Sequence, residues 1–321
     1  MEKSKTVKLI LLFFIFVLLF LVGFFGIKIS SGDQISFNGS YAGASLYDSA
    51  KEDYKVDTRQ QGINGKTIKS KEVAKENEFN IEAESIISVR INPELIANIK
   101  FSKNEEEKLP VASLTKLMTA LVVLENYDLN KKITVSKLAM AQEGEQGNLK
   151  LGEALSVKNL LYITLIESSN RAAYAISEDI GEDKFILLMN NYSEKLGLKN
   201  THFQDSSGLN SKSYSTAMDL AKLSAYLFEN YPLFREIISL KEFDLYLDNG
   251  QLHRKLISTN KFLGEVNGII GGKTGWTSEA KGCFMVVEKN NGSSDYTIHI
   301  ILGAEDRFLE MQKLINWVNS H

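Results

Sequence analysis

Strand-like and helix-like segments are segregated along the globular part of this chain, with strands at its two ends and helices between them. "SIISVRI" (85–91) and "LIANIKF" (95–101) read as strand, turn, strand, with Pro93 in the turn. "CFMVVEK" (283–289) and "YTIHIILGA" (296–304) read as strands near the other end. The interval is mostly helical. "VKNLLYITLIE" (157–167) is one helix; "RAAYAISEDI" (171–180) ends at Gly181 and "EDKFILLMNNYSEKL" (182–196) at Gly197. "STAMDLAKLSAYLFENY" (215–231) takes Ser215 or Thr216 as N-cap, with Asp219 in its first turn. "EFDLYL" and "QLHRKLI" flank Asn249-Gly250 as a hairpin, and "EDRFLEMQKLINWVNS" (305–320) closes the chain as an amphipathic helix. One sheet assembled from distant segments, with a helical lobe inserted, is an α+β architecture.

With 321 residues, 44% of them hydrophobic, the chain buries a sizeable core. A formal net charge of -3 with scattered lysines and arginines gives no sign of a nucleic-acid partner. His202, His253, His299 and His321 show no metal-ligand spacing, and Cys283 is the only cysteine. Nothing calls for a metal or cofactor. Cys283 lies in an apolar run and reads as a buried strand residue rather than a nucleophile.

The N-terminus carries a separate signal. Residues 1–8 include Lys3, Lys5 and Lys8, and an uncharged apolar run of 19 residues follows, Leu9 to Ile27. That is close to the ~20 residues a helix needs to cross a bilayer. It exceeds the ~7–15 of a cleaved signal peptide, and "KISSGD" offers no small-x-small cleavage site. Residues 9–27 are expected to be an uncleaved transmembrane signal anchor, lysines inside and the remainder outside; a cleaved signal is the alternative. Residues 28–80 are polar and aperiodic, and read as a flexible tether spanning roughly 40 Å, a small folded subdomain being the alternative. The globular domain is expected over 81–321.

Within "PVASLTKLMTALVV" the residues after Lys116 are apolar on every side, as in a helix buried in a core. Ser113 and Lys116 stand at i and i+3 near its start, on one face. A lysine there opposes the helix dipole and is costly to bury. Desolvation lowers its proton affinity and makes it a base at neutral pH, and a serine beside such a base becomes a nucleophile. The bland alternative is an N-cap serine and a lysine reaching back to water. "IESSNRAA" sets Ser168-Ser169-Asn170 between two helices, where it is either a cleft-facing trio or an ordinary capped connection. "GIIGGKTGW" sets Lys273-Thr274-Gly275 at a strand end, with Gly275 open to close approach by a ligand.

In this order, Ser-x-x-Lys, Ser-x-Asn and Lys-Thr-Gly resemble the signature of penicillin-binding proteins and class A β-lactamases. "KLPVASLTKLMTALVVLE", "GLKNTHFQDSSGLNSKSYSTAMDLAKLSAYL", "IIGGKTGWTSEAKGC" and "LGAEDRFLEMQKLINW" are similar to the low-molecular-mass D-alanyl-D-alanine carboxypeptidases of serine peptidase family S11, over about residues 82–320. The resemblance implies a penicillin-recognising fold of the serine β-lactamase/transpeptidase type: an antiparallel sheet flanked by helices, plus an all-helical lobe. It implies that Ser113 is acylated by a peptidoglycan stem peptide ending in D-Ala-D-Ala, or by β-lactam antibiotics as inhibitors. Lys116 would take the proton, kept neutral by burial and by Lys273. Ser168 would relay it to the leaving D-alanine, Asn170 would hold the substrate amide, and Thr274 with Lys273 would bind the terminal carboxylate. The backbone N–H groups of Ser113 and Trp276 would form the oxyanion hole, Trp276 standing where many relatives have His and enlarging the pocket rim. Arg307 matches an arginine near the substrate carboxylate, or is a surface charge. Arg171 replaces an Asp found after the asparagine in many relatives. The chain ends after the last catalytic helix, so membrane attachment is expected from the N-terminal helix, with the catalytic domain outside the cell membrane. A class A β-lactamase would need a deacylating glutamate between the second and third motifs. No Glu-x-x-Leu-Asn stands there, and Glu229 and Glu236 are weak candidates. A non-catalytic, membrane-tethered peptidoglycan-binding protein is the third reading.

Overall fold

The computed structural model describes residues 80–92, 97–144, 146–247, 249–290 and 292–321. The expected anchor and tether and the turn at Pro93 lie outside the described residues. Among the described residues no helix is long and apolar enough to cross a membrane.

In chain order the elements are β1 (Ser85–Ile91), β2 (Ala97–Lys103), β3 (Leu109–Pro110), α1 (Thr115–Asn126), β4 (Lys132–Thr134), α2 (Lys137–Met140), β5 (Ala154–Ser156) and α3 (Val157–Ile166). Then follow α4 (Asn170–Glu178), α5 (Glu182–Lys195), β6 (Tyr214–Ser215), α6 (Ala217–Asn230), α7 (Pro232–Ser239), β7 (Glu242–Tyr246) and β8 (Leu252–Ile257). The chain closes with β9 (Ile269–Thr277), β10 (Lys281–Lys289), β11 (Tyr296–Ala304) and α8 (Arg307–Ser320).

The main sheet runs β2-β1-β11-β10-β9 with every pairing antiparallel. Its first two strands therefore join its last three across the inserted helices: Ser85 pairs with Leu302 and Ile91 with Tyr296. Both faces are covered, which is why β10 and β11 read as unbroken apolar runs rather than alternating ones. The pleat still sorts them. Ile87, Val89, Cys283, Met285, Val287, Ile298 and Ile300 join the large core shared with the helical lobe. Ile86, Phe284, Val286 and Ile301 turn to the other face, where Met311, Leu314 and Ile315 of α8 cover them.

Helix α1 is the centre of the large core, with every residue from Thr115 to Val123 buried. That is the burial its all-round apolar sequence calls for. Thr216 caps α6 by accepting the Asp219 N–H at 3.0 Å, choosing between the two caps the sequence offered. β7 and β8 form the hairpin expected at Asn249-Gly250, where Gly250 has φ +79°. Helix α7 was not anticipated. It begins with Pro232 at its first turn, where a missing N–H costs nothing.

Candidate active site

After β3 the chain makes a short 3-10 turn, Ala112–Leu114, before α1 begins at Thr115. Ser113 therefore precedes the α-helix, one step earlier than the sequence suggested. No side chain caps α1, so Ser113 is not spent as an N-cap. Two glycines let backbone close on this turn from opposite sides. A Cβ on Gly275 of β9 would lie 3.0 Å from the Ser113 nitrogen. A Cβ on Gly208, at φ +88°, would lie 1.9 Å from the Ala112 oxygen. The close neighbour on the side where a Gly275 side chain would stand is thus the Val111–Ser113 segment. Ala112 itself has φ +46°, a strained value for a residue with a side chain.

Lys116 points from the first turn of α1 into this clamp and is 0% exposed. Its Nζ lies 2.8 Å from Ser113 Oγ, 2.7 Å from Asn170 Oδ1 and 2.7 Å from the Ser207 carbonyl oxygen. Two of these partners are acceptors only. A neutral amine has two N–H donors for them and one lone pair left, which faces the hydroxyl of Ser113. Burial lowers the Lys116 pKa from 10.5 to about 7, with the charge of Asp205 opposing the shift. The reading in which Lys116 reaches water is thereby excluded.

The Ser168-Ser169-Asn170 segment joins α3 to α4. Ser169 caps α4 by accepting the Ala172 N–H, and Ser168 is held at φ +62°. Ser168 Oγ accepts a hydrogen bond from Lys273 Nζ at 2.6 Å. Asn170 is occupied at both ends, its Nδ2 donating to the Glu143 carbonyl at 2.8 Å. Lys273, from the middle of the edge strand β9, is 1% exposed and also donates to the Thr274 carbonyl at 2.7 Å. Burial holds Lys273 well below the ordinary lysine range, and the charges of Lys116 and Arg307 push the same way. Burial therefore comes first at both lysines, and the like charges of the pair oppose a second ammonium.

Thr274 is buried and its Oγ1 meets Thr259 Oγ1 at 2.6 Å. Trp276 is 61% exposed, on the rim. Arg307 opens α8 half-buried, with an Nε that has no hydrogen-bond partner and a pKa lowered chiefly by burial. That is not the solvated surface charge of the bland reading. Arg171 reaches the Gln142 carbonyl at 3.4 Å. Cys283 is fully buried on β10, its thiol pushed up to about 12 by burial, as its apolar context implied.

Sequence reasoning missed the segment Asp205–Leu209, which supplies both the Ser207 carbonyl and Gly208. The signal was present in "QDSSGL": an Asp followed by Ser-Ser-Gly is a side-chain-closed turn.

A family model described as Peptidase_S11, D-alanyl-D-alanine carboxypeptidase, matches residues 70–306. This chain belongs to that family. It is 32% identical over 233 residues to D-alanyl-D-alanine carboxypeptidase DacF of Bacillus subtilis, covering 69% of this chain and 59% of that protein. Against DacC of Escherichia coli it is 35% identical over 232 residues, covering 67% and 56%. The chain thus spans less than three fifths of either relative. The crystal structure of the Streptomyces K15 DD-transpeptidase is similar with a TM-score of 0.67 and 28% identity, over 75% of this chain and 98% of that one. The antiparallel sheet with its helical lobe is accordingly a penicillin-binding-protein fold.

Proposed function

We propose that this S11 protein is a serine-type D-Ala-D-Ala carboxypeptidase acting on peptidoglycan stem pentapeptides. One observation carries the reading: a serine hydroxyl 2.8 Å from the amine of a fully buried lysine whose pKa is about 7. Lys116 takes the proton as Ser113 Oγ bonds to the carbonyl carbon of the penultimate D-alanine. The resulting oxyanion is held by the backbone N–H groups of Ser113 and Trp276. The C–N bond then breaks, the proton passing through Ser168 to the nitrogen of the departing D-alanine. Water hydrolyses the acyl ester and frees Ser113. Asn170 orients the substrate amide, while Lys273, Thr274 and Arg307 face the terminal carboxylate. β-Lactam antibiotics acylate the same oxygen, with no cofactor required.

We place the S11 domain outside the cell membrane, tethered by the apolar run of residues 9–27, on the strength of that run's length and its flanking lysines. A β-lactamase reading is weaker, because Glu236 is engaged with the Tyr162 hydroxyl on α3 rather than with Ser113 or Lys116. The test is labelling of the full-length protein with a fluorescent penicillin, alongside release of D-alanine from a pentapeptide. The parent should do both, and Ser113→Ala neither. A penicilloyl adduct on Ser113→Ala would sink the assignment, and rapid turnover of penicillin by the parent would favour the β-lactamase.

A further inference from the structure

The base of the proposed reaction rests on a piece of chain that none of the three motifs includes. Asp205 is buried and opens the loop after Gln204. Its Oδ2 accepts hydrogen bonds from the backbone N–H groups of Ser207 (3.2 Å), Gly208 (2.8 Å) and Leu209 (2.9 Å) and from the Ser207 hydroxyl (2.7 Å). Its Oδ1 accepts from the Ser213 hydroxyl at 3.1 Å. A group that meets five donors is an ionised carboxylate by chemistry. The loop it folds runs along α1: the Ser206 carbonyl accepts from Thr119 Oγ1 at 2.6 Å, and the next carbonyl, Ser207, accepts from Lys116 Nζ. The loop then presents Gly208 to the backbone of the turn that carries Ser113.

We infer that Asp205 is a positioning residue for the base: through this loop it aims the Ser207 carbonyl at Lys116 Nζ, and its negative charge balances the cluster of cations at the site. The inference rests on Lys116 being the base. The charged groups facing this arrangement are few. Lys116 comes from α1 and Lys273 from β9, with Arg307 of α8 acting on Lys273. Glu182, at the start of α5, is an acidic group that the Asp205 charge also reaches. Asp205 is thus the anion whose field acts directly on Lys116, and it favours the ammonium form. It partly offsets the effect of burial on the base, while the loop it closes fixes where the base points.

Asp205→Asn separates the two roles. The amide oxygen replaces Oδ2 and still accepts four bonds, and the amide nitrogen faces Ser213, whose hydroxyl rotates to accept. Shape is kept and charge is lost. The acid limb of penicillin acylation by the full-length protein should then move down by ~0.5–1 pH unit, because Lys116 loses its proton more easily. Two further variants keep the charge and disturb the packing. Ser213→Ala removes two bonds, one donated to Asp205 and one accepted from the Gln204 N–H, and Asp205→Glu shifts the carboxylate by one methylene. Both should leave the acid limb at its parent position, whatever happens to the maximal rate. A limb unmoved in Asp205→Asn, or moved as far in Ser213→Ala or Asp205→Glu, would overturn the inference. Were Asp205→Asn to fail to fold, the Glu and Ala arms alone still bear on it: a downward shift in either refutes a role through charge. Failure of the underlying reading looks different, because Lys116→Arg would then acylate normally.

Discussion

Replacing Lys116 by methionine should change how the stability of the protein depends on pH, and the size of the change follows from the site. Lys116 titrates at 10.5 in an unfolded chain and at about 7 in the folded one. That difference corresponds to about 5 kcal/mol against folding whenever the amine is charged in both states. Below pH 7 both states hold the proton and the full cost is present. Between 7 and 10.5 the unfolded chain holds a proton that the folded one lacks, so stability rises by about 1.4 kcal/mol per pH unit. Lys116→Met removes that rise. It also strands the Ser207 carbonyl and Asn170 Oδ1, which lose their donor at a cost of about 1–3 kcal/mol each. The net change at pH 7 is therefore small, a gain and a loss of similar size. The slope is not affected by that offset. The stability of the methionine variant relative to the parent should fall by ~3 kcal/mol between pH 7 and pH 9.5. Groups common to both proteins cancel, and relief of Lys273 from repulsion works in the same direction. Urea unfolding followed by circular dichroism at the two pH values measures the difference. A relative stability flat across that interval would mean that Lys116 is not depressed in the folded protein, and the proposed base would lose its physical footing.

Three other outcomes are expected. Lys116→Arg should acylate at least ~100-fold more slowly than the parent in stopped-flow penicillin labelling, since a guanidinium stays protonated; retention of more than a few per cent of the rate would pass the base to another group. Lys273→Arg should keep part of the D-alanine release, whereas Lys273→Ala should raise KM and shift the acid limb of the pH–rate profile upward as repulsion on Lys116 is lifted. Gly275→Ala should lower acylation by roughly 10–100-fold with little change in melting temperature, because its methyl group meets the Ser113 nitrogen at 3.0 Å; an unchanged rate would show that the turn yields freely.

Much of this molecule was legible in its sequence. The buried helix, the strands at both ends, the N-cap at Ser215 or Thr216 and the hairpin at Gly250 each follow from a local pattern. What was hidden depends on segments meeting in space. The two-residue strands β3 and β6 have no periodicity to detect, and α7 opens on Pro232, which reads equally as a stop. The 3-10 turn at Ala112–Leu114 is imposed from outside, by Gly208 on one side and Gly275 on the other. Ser113, Lys116, Ser168, Asn170 and Lys273 were found by motif, and the structure hydrogen-bonds Lys116 to Ser113 and Asn170, and Lys273 to Ser168. Of the partners that tune them, Asp205 and Ser207 were signalled only as a turn in "QDSSGL", and Thr259 by no pattern. They are ordinary polar residues until the fold delivers them.

The pairing of Ser85 with Leu302 has a consequence in time as well as in space. A ribosome working at roughly 5–20 residues per second would release β1 at least ~10 s before the strand it must zip against. Throughout that interval the β1–β2 ribbon has one whole edge without a neighbour, and Ile86, Ile87 and Val89 have neither core to enter. Folding dominated by such distant pairings is slow and vulnerable to association between nascent chains. The sheet closes only when the final strands arrive, so a frameshift or stop codon shortly before Tyr296 would spare every residue of the proposed active site except Arg307 and still yield no enzyme.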